Sequence, residues 1–324
     1  DAGPRAVLPA LAGRMFMYLP LGDMATRAAL LGAVAMALAA ALLFGTVRRI
    51  ADGVLGGGMV ATASGVAAAA LLVAGAGTPV SGASGIGLLL LALAVGFIER
   101  TFDKRSPRGR SRAGLLLSLV AGLMVAVAPP AVRLQVVPLA GLVALRLRRG
   151  DRWPLFAPFA FALGVAALMP VIAMRVGAWP GARSMGVLID LLRFAPPSDA
   201  PRFGGVLVAY AGLVERHVGL PALLVAALGL VVAWRHRPAL AGSLVSIVGV
   251  DALATAWLDP GAIADDRAGA IAVLAIAALA GLGLAAFARL ALASPPSPRR
   301  PLPATPSAAS QDGKFFADER TNII

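Results

Sequence analysis

The residues that could do chemistry in this chain are few, because charged residues make up only 14% of it, and they fall into small groups. The densest acidic group is Asp259, Asp265 and Asp266, followed directly by Arg267. Carboxylates beside an arginine at a helix mouth have the donors to hold a divalent ion, a sugar hydroxyl or, through Arg267, a lipid phosphate. The same residues also suit a solvated loop in which Asp265 or Asp266 caps a helix starting near Ala268. Asp251 stands alone inside an apolar stretch, where a carboxylate is either functional or structurally paired. Arg183, Arg193, Arg202 and Arg216 share the stretch 175–217 and are suited to attract an anionic lipid phosphate or to anchor at headgroups. With no cysteine, a disulfide framework, a thiolate metal site and a cysteine nucleophile are excluded; His217 and His236 are too few for a histidine-rich metal site.

The elements that must position these groups follow from composition. Hydrophobic residues are 59% of the chain and the mean hydropathy is +0.84, outside the range of soluble domains. This is the composition of an integral membrane protein, all-α and polytopic. The net charge of +13 does not point to nucleic acid, because the basic residues sit in short clusters between apolar runs rather than along one amphipathic face.

The run 28–47 is twenty residues without a charge, enough at 1.5 Å per residue to cross a hydrocarbon core of about 30 Å. Eight more apolar runs repeat it, at 54–77, 83–98, 114–132, 134–145, 153–174, 218–234, 239–258 and 268–288. About nine transmembrane helices are therefore expected over 28–290, with 134–145 short and 83–98 marginal. Pro129, Pro130, Pro138, Pro158 and Pro170 predict kinks. Gly56, Gly57 and Gly58, and Gly281 with Gly283, predict close helix packing. The glycine-rich run 81–87 imitates a nucleotide-binding fingerprint but opens an apolar span instead of following a strand, so it reads as a tight turn with close packing. The first 27 residues read as an extracytoplasmic loop with a short surface helix, and 185–194 and 203–214 as further surface helices within 175–217. Residues 291–324, rich in Pro and Ser, read as a disordered tail.

Arginines sort into alternate loops. One set holds Arg48 and Arg49, the run from Arg100 to Arg112, Arg146 to Arg152, Arg235 and Arg237, then Arg289, Arg299 and Arg300. The other set holds an uncharged 78–82, a lone Arg133, the segment 175–217 and the acidic 259–267. The first set is expected on the cytoplasmic side, with Asp1 outside and the tail inside. An outside start in turn predicts either a signal peptide or an earlier spanning helix upstream of Asp1.

The order Gly13, Arg14, Met15, Phe16, then Leu19 to Asp23, Arg27, Leu30, Leu31 and Ala39 to Leu43 resembles the first luminal loop and second helix of a bacterial multi-pass family. That family, long catalogued as a domain of unknown function, is related to the eukaryotic transmembrane protein O-mannosyltransferases among GT-C glycosyltransferases. The likeness returns at 219–229 and 257–283. The resemblance implies a GT-C-like fold in the bacterial inner membrane and transfer of a sugar from a polyprenyl-phosphate donor to an acceptor on the outer face. It implies that Asp1, at the start of an acidic loop motif, is the general base. Asp259, Asp265, Asp266, Arg267, Arg183 and Arg193 are the candidate substrate-binding residues, membrane lipids and the lipid-linked sugar the expected partners, and the need for a divalent cation stays open. Four features depart from the family pattern: Pro4 stands where the family has Glu, the His-Pro-Pro-Gly run is missing, 75–87 contains no acid, and 126–132 has no histidine. These departures favour, as the alternative, a non-catalytic membrane scaffold or partner subunit. A transporter is a third reading, against which stand the lack of a clear internal repeat and the scarcity of intramembrane charge.

Overall fold

The computed structural model describes residues 24–56, 58–75, 82–102, 107–127, 132, 134–166, 200–258 and 269–292. Among these residues the regular elements are helices, with no strand. They run in the order α1 (Met24–Leu55), α2 (Met59–Gly75), α3 (Gly82–Thr101), α4 (Pro107–Val127), α5 (Val136–Arg148), a 3-10 turn (Trp153–Phe156), α6 (Ala157–Ala166), α7 (Ala200–Val218), α8 (Leu220–His236), α9 (Pro238–Leu258) and α10 (Ala270–Leu292). The fold is all-α. Among the described residues four segments are long and apolar enough to cross a membrane: Ala29–Val54, Arg108–Ala126, Pro238–Ala256 and Ala270–Leu292. Gly204–Val218 and Leu220–His236 pass that test only as a pair, bent by 99°.

Alanine, leucine and glycine dominate these helices, and glycine decides where they touch. α10 is the axis of the bundle: nearly every residue from Ile271 to Ala286 is buried, against α8, α2, α9 and α1. Gly283 meets the backbone of α8 at Val225 and Gly229, while Gly229 meets Leu279 in return. Gly281 lies against Ser64, Ala68 and Val47 of α2 and α1. With no Cβ at these positions the helix backbones come into direct contact, which is how apolar helices gain dispersion energy when burial from water supplies none. The expectation of close packing at Gly281 and Gly283 is met.

Other sequence expectations need correction. Gly56 and Gly58 have φ of 81° and 83° with open space around them, so they make the turn between α1 and α2 rather than a helix contact. The glycine run expected as a tight turn begins α3 at Gly82, and Gly85 packs on Gly32 and Ala35 of α1. α4 starts at Pro107, seven residues before the expected apolar run, and takes Arg108, Arg110 and Arg112 into the helix. Proline suits the first helical position and arginine is a good helix former, so the helix extends beyond its apolar part. α1 likewise continues past Val47 through Arg48, Arg49 and Asp52. Pro138 and Pro158 each lie in the first turn of their helix, where no N–H is required. Pro129, Pro130 and Pro170 lie outside the described residues, as do the expected surface helices of the first loop and of 185–194.

The bundle has two unlike ends. At one, Arg48, Arg49 and Arg100 border a single cleft, Arg237 reaches within 3.6 Å of the place a Gly53 side chain would occupy, and Arg146 donates to Thr101. Arginines from four groups of one set, those at 48–49, 100, 146 and 237, therefore lie at one end of the bundle. At the other end Gly75, His217 and Gly269 come together, with no arginine among these contacts.

Candidate functional site

Asp251 occupies the fourth turn of α9, whose other residues are almost all apolar. It is 2% exposed, about 10 Å along the axis from the C-terminal end of its helix. The phenol of Tyr210 donates a hydrogen bond of 2.6 Å to Asp251 Oδ2. The backbone N–H of Ala272 donates to the same oxygen at 3.3 Å. Ala272 is the third residue of α10, and the first backbone bond of that helix runs from Val273 N–H to the Gly269 carbonyl, so the Ala272 amide belongs to the group a helix start leaves without an internal acceptor. Asp251 thus caps α10 from a neighbouring helix, at the positive end of its dipole.

Tyr210 is delivered by the sequence of α7. Among the described helices α7 has the most amphipathic pattern, and Tyr210, Leu213, Val214 and Val218 form its buried stripe at the spacing of one helix face. Gly219, at φ 80° and ψ 145°, ends this helix and starts the next: its N–H donates to Glu215 and its carbonyl accepts from Leu223. That conformation is open to glycine and strained for other residues. The bend it permits lays α7 across α9 and α10 while α8 runs along α10, and the crossing puts the phenol over Asp251.

Two more buried polar side chains share the α9 face region. Gln135, fully buried, donates from Nε2 to the Ile247 carbonyl at 3.2 Å, one turn before Asp251, and its Oε1 has no partner among the described residues. Thr255, one turn after Asp251, is 5% exposed. The Asp251 cluster joins three helices through a carboxylate, a phenol and an amide; among the described residues no arginine or lysine pairs with it. Both contacts use the same oxygen in a sealed place, and this geometry is that of a structural pair. Of the two meanings open for Asp251, the structure supplies the pairing.

The arginine end is built differently. Arg146, at the end of α5, is 6% exposed yet solvated by protein: its guanidinium donates to the Thr101 carbonyl, sits 4.0 Å from the centre of the Phe102 ring and pairs with Asp151 at 3.4 Å. Arg110 of α4 reaches the other oxygen of Asp151 at 3.9 Å. Burial pulls the Arg146 guanidinium below its ordinary value, Asp151 offsets part of that, and Arg110 and Arg149 add to it. This cluster fastens the ends of α3, α4 and α5. Arg48, Arg49 and Arg100, by contrast, are exposed around their cleft.

All seven candidate site residues, Asp1, Arg183, Arg193, Asp259, Asp265, Asp266 and Arg267, lie outside the described residues. The helix ends that flank them are described. α9 ends at Leu258 and α10 begins after Gly269, where Gly269 meets Val214 and His217. α1 begins at the same end of the bundle, since it finishes at the arginines, and α6 runs toward it along α4, from Trp153 on Gly114 to Gly164 on Gly122. Among the described residues no three His, Asp or Glu side chains form a group able to hold a metal ion.

The sequence reading missed Tyr210 and Gln135. Tyr210 carried a usable signal, because it shares the apolar stripe of an amphipathic helix and a buried aspartate requires a donor. Gln135 carried none, since a lone amide between apolar runs does not name its partner. No family model, curated protein or solved structure matches this chain.

Proposed function

We propose that the chain is a polytopic protein of the bacterial inner membrane that transfers a sugar from a polyprenyl-phosphate donor to an acceptor on the outer face, in the manner of GT-C glycosyltransferases. The resemblance of residues 13–43 suggests the reaction. The observation that supports the placement is that 1–23 and 259–268 are flanked by helix ends away from the arginine clusters, and that α6, which precedes 167–199, runs toward that same end. The arginine end is then cytoplasmic, as the retention of Lys and Arg on that side requires, and the opposite end faces out. There a carboxylate, Asp1 or one from 259–266, deprotonates the acceptor hydroxyl while Arg267, Arg183 and Arg193 balance the departing phosphate.

The test uses membranes containing the full-length protein, supplied with polyprenyl-phosphate sugar. Asp1→Asn and Asp265→Asn are expected to abolish transfer at unchanged expression. Cysteines at Ser81 and Ser198 are expected to react with an impermeant thiol reagent on intact spheroplasts, and one at Ser106 to stay unlabelled; the reverse pattern overturns the orientation.

A second reading, a non-catalytic scaffold, is favoured by the Asp251 cluster, where the interior acid is committed to holding helices together. Full transfer by both asparagine variants, or no transfer by the unaltered protein with any common polyprenyl-linked donor, decides for the scaffold.

A further inference from the structure

At the arginine end, α1 and α3 border a cleft of about 540 Å³ whose lining changes character along α1. Ala41, Leu42, Phe44 and Gly45 line its apolar part; Arg48, Arg49 and Arg100, with Asp52 and Gly58, line its polar part. Residues 34, 38, 41, 45, 48 and 52 advance by three or four, so Val34, Leu38, Ala41, Gly45, Arg48 and Asp52 share one face of α1. Val34 and Leu38 are 40% and 51% exposed, which leaves the lower part of that face open and apolar. A side chain at Gly45 would meet nothing within 4 Å, so the glycine leaves a notch at the junction of the apolar and cationic parts. From residue 34 to residue 48 the stripe covers about 21 Å of helix axis.

We infer that this stripe and cleft form a binding site for one anionic phospholipid, with its phosphate between Arg48, Arg49 and Arg100 and an acyl chain along Val34, Leu38 and Ala41. Three features fit that ligand, and the first and third select it over a soluble anion. The cations stand at the end of an apolar face long enough for most of an acyl chain. Their guanidiniums have the forked donors that match phosphate oxygens. They also sit at the end of a segment long and apolar enough to cross a membrane, where headgroups lie. Arg49 donates from Nε to the Gly45 carbonyl at 3.2 Å, which fixes its stem against the helix beside the notch. The local negative charge, Asp52 in the polar part and buried Glu99 near Arg49, is outnumbered by the three arginines and orients the headgroup rather than excluding it. The site depends on the helices crossing a membrane and not on the glycosyl-transfer reading.

The experiment is native mass spectrometry of the full chain in detergent, titrated with phosphatidylglycerol, with phosphatidylcholine and with inorganic phosphate. One phosphatidylglycerol is expected to bind in clear preference to phosphatidylcholine, with no displacement by inorganic phosphate. In Arg48→Gln/Arg49→Gln/Arg100→Gln the affinity for phosphatidylglycerol is expected to fall about a hundredfold, near the product of a factor of about five for each cation. Gly45→Leu, which keeps every charge and fills the notch, is expected to lose the bound lipid as well. Arg108→Gln/Arg112→Gln/Arg148→Gln, exposed arginines away from the cleft, is expected to bind as the parent does. Equal binding of both lipids, retention by the first triple variant or by Gly45→Leu, or an equal loss in the second triple variant would each overturn the site. Displacement by inorganic phosphate would reduce it to an anion site and overturn the lipid assignment.

Discussion

Arg146 and Asp251 are both charged side chains buried in an apolar bundle, and their surroundings have little in common. Arg146 sits at a helix end, within reach of a carbonyl, an aromatic face and a counter-charge supplied by a short connection. Asp251 sits well inside its helix and receives neutral donors from two other helices. The difference follows from the side chains. A guanidinium on a long stem reaches an edge and finds a carbonyl, a carboxylate and a ring face there, with its Nε left without a partner among the described residues, whereas a carboxylate one carbon from the backbone must be met where it stands. Buried positive charge therefore fastens the ends of this bundle, and buried negative charge fixes the crossing of its helices.

The sharpest way to break the comparison is to remove the interior acid. Asp251→Ala leaves the Tyr210 hydroxyl and the Ala272 amide buried without an acceptor and is expected to cost about 3 kcal/mol, read as the free energy of unfolding in mixed micelles. Asp251→Asn keeps an acceptor oxygen and is expected to lose roughly half of that; equal losses would show that the charge, not the acceptor, holds α7 in place. Arg146→Ala is expected to cost about 2 kcal/mol by the same measurement, because Asp151 keeps a second partner in Arg110 and lies closer to solvent. Gly219→Ala tests the bend that brings Tyr210 to Asp251. It is expected to cost about 1 to 2 kcal/mol through backbone strain and to lower the effect of a subsequent Tyr210→Phe, a coupling that a double-mutant cycle reads directly. The smallest effect is expected at the exposed cleft: Arg48→Gln is expected to change stability by less than about 0.5 kcal/mol, and a loss near that of Arg146→Ala would place it among the structural cations.

Much of the fold was legible in the sequence. The apolar runs at 28–47, 83–98 and 239–258 each lie within a helix, as do 220–234 and 270–288, because an uncharged run of leucine and alanine has no better way to satisfy its backbone in an apolar medium. Boundaries failed where helix propensity continued past the apolar run, as at Arg108 to Arg112 in α4 and at Arg48 to Asp52 in α1. The run 28–47 is the one that the other apolar runs repeat, yet α1 is not the axis of the bundle. α10 holds that place, and the difference lies in how many neighbours a helix acquires rather than in its own residues.

What the sequence determined by itself is the helical class, the positions of the apolar runs and the clustering of most arginines in alternate loops, since each depends on local composition and on the order of loops along the chain. Tertiary structure alone decided that Asp251 is paired rather than available, that Gly283 and Gly229 bring two backbones together while Gly56 only turns a corner, and that Arg48 and Arg100 face one cleft. Each of these depends on residues far apart in the chain: Tyr210 and Asp251 are 41 positions apart, Arg48 and Arg100 belong to different helices. A hydrogen bond, a Cβ clash or a shared anion site is a relation between two surfaces, and the surfaces meet only when helices have chosen their neighbours.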